Sequence, residues 1–122
     1  MPPEPTPILI VDDDEGIRDA LGEMLGDEGY PVATAANGEE AMAWLRRERP
    51  RSCIVLLDLM MPVMDGDEFL RLKRSDPELA GLPVIIVTAS GRPVDPMPGI
   101  RAYIQKPIEM PLLMAAIEAC AG

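Results

Sequence analysis

The chain is expected to fold as a doubly wound α/β domain around a five-stranded parallel sheet. Three observations predict this. Five short apolar runs alternate with amphipathic stretches, each run is bounded by turn residues, and the runs are too continuously apolar for a sheet with one face in water. Alternating strands and helices imply right-handed crossovers, hence parallel strands with helices on both faces. The 122 residues, 48% of them hydrophobic and 26% charged, suit one core and leave no room for a second.

The elements follow in order. The runs Ile8 to Val11, Val32 to Ala35, Cys53 to Leu57, Val84 to Val87 and Ala102 to Ile104 read as buried strands. Between the first two, EGIRDALGEMLGDEG repeats Ile17, Ala20, Leu21, Met24 and Leu25 at helical spacing, with Asp14 as N-cap and Gly29 as the stop. Asn37 followed by Glu40 makes a capping pair for a second helix that turns Ala41, Trp44 and Leu45 inward before Pro50. Asp65-Gly66 is a turn into a third helix, DEFLRLKRS, which buries Phe69, Leu70 and Leu72. A last helix starts near Pro111 and turns Leu113, Ala116, Ile117 and Cys120 inward. Residues 1–7 read as a flexible arm and 8–122 as the domain.

Composition narrows the function. No apolar run approaches the roughly 18 residues of a membrane span, and MPPEPTP lacks the basic and apolar parts of a signal peptide, so a cytoplasmic location is expected. A net charge of −10 disfavours nucleic acid and anionic membranes, and points to protein partners and cations. Cys53 and Cys120 have no metal or CxxC spacing and read as buried thiols. With no histidine, the chain cannot run Ser/His or Cys/His catalysis or carry a phosphohistidine, and any phosphoryl-donor histidine must belong to another molecule.

In open parallel sheets, ligands bind beyond the carboxyl ends of the strands. The first strand ends in Asp12, Asp13 and Asp14, the third in Asp58 and the fourth in Thr88, while Lys106 and Pro107 follow the fifth. Asp14 is accounted for as a cap. Asp12, Asp13 and Asp58 at one sheet edge would repel one another unless a hard cation joined them; Mg²⁺ suits because it takes few protein ligands and leaves positions for phosphate oxygens. Asp58 could then act as nucleophile toward a phosphoryl group whose other oxygens are held by Thr88 and Lys106, with positioning and electrostatics supplying the catalysis.

The motifs ILIVDDDE, LLDLMMPVMDG, VIIVTA and YIQKP, in this order along the whole chain, resemble the receiver domain of two-component response regulators. The resemblance implies a flavodoxin-like strand order of 2-1-3-4-5 and a phosphorylation-activated switch, not a turnover enzyme. It implies Asp58 as phosphoacceptor, Mg²⁺ bound directly by Asp13 and partly through water by Asp12, and the backbone carbonyl of Met60 as a further ligand. It implies Thr88 and Tyr103 as paired switch residues and Lys106 as the phosphate contact. The implied partners are a histidine kinase or histidine phosphotransfer protein and a downstream protein target.

The chain departs from the family between Thr88 and Tyr103, where Pro93, Pro96 and Pro98 should reduce the usual fourth helix to a Pro/Gly-rich loop. Rival functions fit less well. An aspartyl-phosphate phosphatase needs a second acid two residues after the nucleophile, where Met60 stands, and a flavin carrier would not place DDDE against a phosphate. A receiver-shaped interaction module that is never phosphorylated would have no reason to hold so many like charges together.

Overall fold

The computed structural model describes residues 6–59, 63–89 and 99–121. Its elements run β1 (Ile8–Val11), α1 (Glu15–Asp27), β2 (Val32–Ala35), α2 (Gly38–Glu48), β3 (Ile54–Leu57), α3 (Gly66–Ser75), β4 (Val84–Thr88), β5 (Ile100–Gln105) and α4 (Met110–Ala121). The five strands form one parallel sheet in the order β2-β1-β3-β4-β5, as the sequence led one to expect. No helix among the described residues is long and apolar enough to cross a membrane. The Pro-rich segment expected to replace a helix falls on residues 90–98, outside the described residues.

Side-chain alternation along the strands divides the core in two. Leu9, Val11, Val55, Leu57, Val84 and Ile86 face α2 and α3, meeting Ala41, Met42, Leu45, Phe69 and Leu70. Their neighbours Ile8, Ile10, Ile54, Leu56, Ile85 and Val87 face α1 and α4, meeting Leu21, Leu25, Leu113 and Ile117. Because β1, β3 and β4 are covered on both sides, every residue in them is buried, which is why they read as unbroken apolar runs.

Several boundaries differ from the sequence reading. The strand expected at 102–104 is twice as long, because β5 is an edge strand whose Arg101, Tyr103 and Gln105 point to solvent and break the apolar run. A register shift against β4 at Val84/Ile85 leaves Arg101 without a rung. In α1 only Leu21 and Leu25 are fully buried, with Ile17 packed beside them; Ala20 and Met24 are exposed because the helix offers the sheet a narrower stripe than its apolar spacing suggested. Cys53 is buried just before β3, while Cys120 is only half-buried.

An unanticipated buried residue is Lys73 on α3, only 3% exposed. Its Nζ donates to Leu82 O at 2.6 Å and Ala80 O at 3.4 Å, so the ammonium ties the α3–β4 connection under the sheet. Burial brings its pKa down to about 8, against an opposing pull from Cys53, whose own thiol burial pushes up to about 11.

Candidate functional site

The caps position the acidic edge. Asp14 is the N-cap of α1, accepting from Ile17 N at 3.1 Å, and its own N–H donates to Asp12 Oδ1 at 2.9 Å. The helix therefore starts immediately beyond β1, leaving Asp12 and Asp13 in the intervening turn at the carboxyl end of the strand. Asp12 N bonds Ala35 O at 3.1 Å, and Arg18 Nη1 donates to Asp12 O at 2.7 Å. Asp12 is thus held through its N–H, its carbonyl and its carboxylate. Asp13 is exposed.

Asp58 follows β3 directly and is 5% exposed, its N–H bonded to Val11 O at 2.9 Å. On its far side the chain turns into α3 through Asp65, which caps the helix by accepting from Glu68 N at 2.9 Å. Gly66 is required there. A Cβ on it would stand 2.6 Å from Leu59 Cδ2, 2.7 Å from Leu59 Cα and 3.2 Å from Asp58 O. The missing side chain lets α3 begin against the backbone that carries Asp58.

Lys106 reaches this edge from the end of β5. Its backbone N–H donates to Thr88 O at 3.0 Å, extending the ladder by one bond beyond the last paired residues. Its Nζ lies 2.8 Å from Asp12 Oδ2 and 3.3 Å from Asp58 Oδ2. Burial works to lower the pKa of this ammonium, but the hydrogen bonds and negative charges of Asp12 and Asp58 together outweigh it and hold it above the usual lysine value. Two carboxylates thus share one cation, and Asp13 remains without a positive partner among the described ion pairs.

Asp12, Asp13 and Asp58 each offer a carboxylate oxygen within 4.8 Å of the other two. Three hard anionic oxygens at that spacing fit a small divalent cation, because one Lys106 leaves the group with surplus negative charge. Met60, whose backbone carbonyl was expected to join them, lies outside the described residues. Thr88 ends β4 and is buried at 6% exposure, whereas Tyr103 is half-exposed on β5. Register pairs Tyr103 with Ile86 and Gln105 with Thr88, so Tyr103 and Thr88 lie on one sheet face two rungs apart. Tyr103 also borders a groove of about 570 Å³ between β5 and α4 that reaches Lys106 and is lined by Leu112 and Ala116.

The structure therefore brings together the carboxylates at 12, 13 and 58 with Lys106, and sets Thr88 beside them at the end of the neighbouring strand. Arg18 was missed. An arginine on the exposed side of a helix start looks like any solvated charge, and only the backward fold of its side chain reveals the contact with Asp12.

A model described as the response regulator receiver domain matches residues 8–118. The transcriptional regulatory protein AfsQ1 of Streptomyces coelicolor is 38% identical over 117 residues, covering 92% of this chain and 49% of that protein. The chain spans about half the length of the curated relatives it matches first. The chemotaxis protein CheY4 of Vibrio cholerae superposes with a TM-score of 0.83 at 29% identity, covering 95% of this chain and 98% of that one. The response regulator TrrA of Thermotoga maritima, solved in complex with Mg²⁺-BeF, gives 0.81 at 29% identity, covering 94% and 98%.

Proposed function

Because this chain belongs to the response regulator receiver domain family, a family of phosphorylation-activated signalling domains, we propose that it is a switch phosphorylated on Asp58 by a partner phosphohistidine protein. The observation that carries the proposal is the position of Lys106 Nζ, in hydrogen-bond reach of both Asp12 and Asp58 while Asp13 completes the carboxylate cluster. A scaffold with no chemistry would gain nothing from burying Asp12 and Asp58 side by side, since like charges out of water cost several kcal/mol unless paired.

In this scheme one Asp58 oxygen forms a bond to phosphorus while the donor's N–P bond breaks and the histidine nitrogen keeps the electron pair. Lys106, kept charged by its two carboxylates, would offer an N–H to a phosphoryl oxygen, and the hydroxyl of Thr88, at the end of the neighbouring strand, would offer a contact to another. Asp12, Asp13 and Asp58 would hold Mg²⁺, with the Met60 carbonyl as a further ligand. When bound, the ion would neutralise charge on the carboxylate and on the incoming phosphoryl group. That a relative was solved with Mg²⁺-BeF supports this choice of ion.

Phosphoryl oxygens would draw Lys106 and Thr88 together, and β5 is tied to both through the Lys106 N–H bond to Thr88 O. Tyr103, on the same sheet face as Thr88, is the side chain placed to move with them and to alter the β5–α4 groove presented to a downstream protein. Phosphorylation with acetyl phosphate and MgCl2 tests the reading: intact-mass spectrometry should show one added, acid-labile phosphoryl group, absent in Asp58→Asn. An undiminished adduct in that variant would move the acceptor elsewhere.

A further inference from the structure

Arg18 stands in the first turns of α1, its own N–H bonded to Asp14 O at 3.0 Å, and its side chain folds back so that Nη1 donates to Asp12 O at 2.7 Å. Five acids lie nearby in sequence: Asp12, Asp13, Asp14, Glu15 and Asp19. A guanidinium gains more from a carboxylate than from a neutral carbonyl, yet among the described residues Arg18 takes part in no ion pair. The carbonyl it chooses belongs to the first residue after β1, where the strand ladder no longer supplies a donor.

That carbonyl is one end of the peptide plane whose other end leads into Asp13. Asp12 N is already fixed on Ala35 O, and its carboxylate on Asp14 N and Lys106 Nζ. The plane between Asp12 and Asp13 is then held at its oxygen by Arg18 alone among the described hydrogen bonds. Rotation of the plane would swing the exposed Asp13 away from Asp12 and Asp58.

We infer that Arg18 is a positioning residue of the acidic turn: by holding the Asp12 carbonyl it aims Asp13 into the cluster and raises the cluster's affinity for a divalent cation. The inference rests on the metal reading proposed above. It makes a prediction of opposite sign to simple electrostatics. Removing a positive charge beside three carboxylates should tighten cation binding if charge alone counted, whereas loss of the tie should weaken it.

The experiment titrates MgCl2 into the whole chain and into Arg18→Met, Arg18→Lys and Asp13→Asn, following the backbone amide shifts of residues 12–15, with thermal unfolding measured on each. Arg18→Met should weaken Mg²⁺ binding roughly tenfold, the lower end of the range for residues that orient metal ligands, with Arg18→Lys in between because it keeps one shorter donor. Affinity in Arg18→Met that is unchanged or tighter, whatever happens to the unfolding temperature, overturns the inference and leaves Arg18 a simple helix-to-strand tie. Should Arg18→Met fail to fold, Arg18→Lys carries the comparison on the same terms. Failure of the metal reading itself looks different: the parent chain and Asp13→Asn would then show no saturable response at all, and the inference falls with it.

Discussion

Lys106 lies closer to Asp12 than to Asp58, 2.8 Å against 3.3 Å, so the charge balance of the pocket is anchored on the carboxylate that is not the proposed acceptor. Asp12 also has its second oxygen engaged by Asp14 N at 2.9 Å. A phosphoryl group on Asp58 would meet the ammonium across the longer of its two bonds.

The same pair sets a pH dependence. With a folded-state pKa above its unfolded value of about 10.5, Lys106 contributes stability that is fully present below the unfolded pKa and lost as pH rises through the folded one. Thermal unfolding of the parent chain and of Lys106→Met should therefore show a gap that is constant from neutral pH to about pH 10 and narrows above it. A gap independent of pH into that range would mean that Asp12 and Asp58 do not hold the ammonium.

Lys106→Ala should separate phosphorylation from response. Asp58, the proposed acceptor, keeps its carboxylate, so slow modification by acetyl phosphate should remain, but the side chain proposed to join the phosphoryl group to the end of β5 is gone. Addition of Mg²⁺-beryllofluoride should shift the NMR signals of Tyr103 and its β5 neighbours in the parent chain and leave them nearly unmoved in the variant. An undiminished shift would place the link elsewhere.

The sheet and most of the site were legible because both depend on local sequence. β1, β3 and β4 are buried on two faces and appear as uninterrupted apolar runs, and the acids sit where those runs end. Caps at Asp14 and Asn37 were readable for the same reason, each accepting from an N–H three residues on, while Asp65, read only as a turn residue, caps α3 in the same way. Side chains that act over a distance were not readable. Lys73 looks like a surface lysine on an amphipathic helix until the turn at Ala80 to Leu82 folds beneath it, and Arg18 shows its contact only once α1 packs back on β1. The extent of β5 was lost because an edge strand shows solvent-facing residues that interrupt the pattern.

Lys73 gives a second pH signature, of opposite sign to that of Lys106. Its folded pKa of about 8 lies below the unfolded 10.5, so the cost of burying the charge is complete below about pH 8 and gone above the unfolded value; stability should rise with pH between them. Cys53 opposes this above about pH 9, since its pKa is pushed up to about 11 and the unfolded thiol ionises first. Urea unfolding in a Cys53→Ala background isolates the lysine: the midpoint should climb from about pH 7.5 to about pH 9.5, and Lys73→Met should flatten the climb. At about pH 9.5, where most of that cost has gone, Lys73→Met should lower stability by about 1–3 kcal/mol, because Ala80 O and Leu82 O lose their buried donor.

Gly66 tests whether the close approach of α3 to the Asp58 backbone is needed. Alanine is the better helix former by about 1 kcal/mol, and Gly66 is the first residue of α3 with no positive φ to protect, so propensity alone makes Gly66→Ala neutral or stabilising. Sterics argue the other way. The new Cβ would meet Leu59 Cα at 2.7 Å, a backbone atom that no rotamer change can clear, and Leu59 Cδ2 at 2.6 Å. Relief requires α3 to move off the strand end, which would break the Gly66 N bond to Leu59 O, now 3.2 Å, and disturb a core of Phe69 and Leu70 that is already full. Overpacking of this kind costs about 1–3 kcal/mol, more than alanine's helical preference returns. Gly66→Ala should therefore lower the urea midpoint and slow phosphorylation by acetyl phosphate, because the displaced backbone is the one that carries Asp58, the proposed acceptor. A variant as stable and as readily phosphorylated as the parent would show that the turn can open without cost, and that the contact between Gly66 and Leu59 does not position the site.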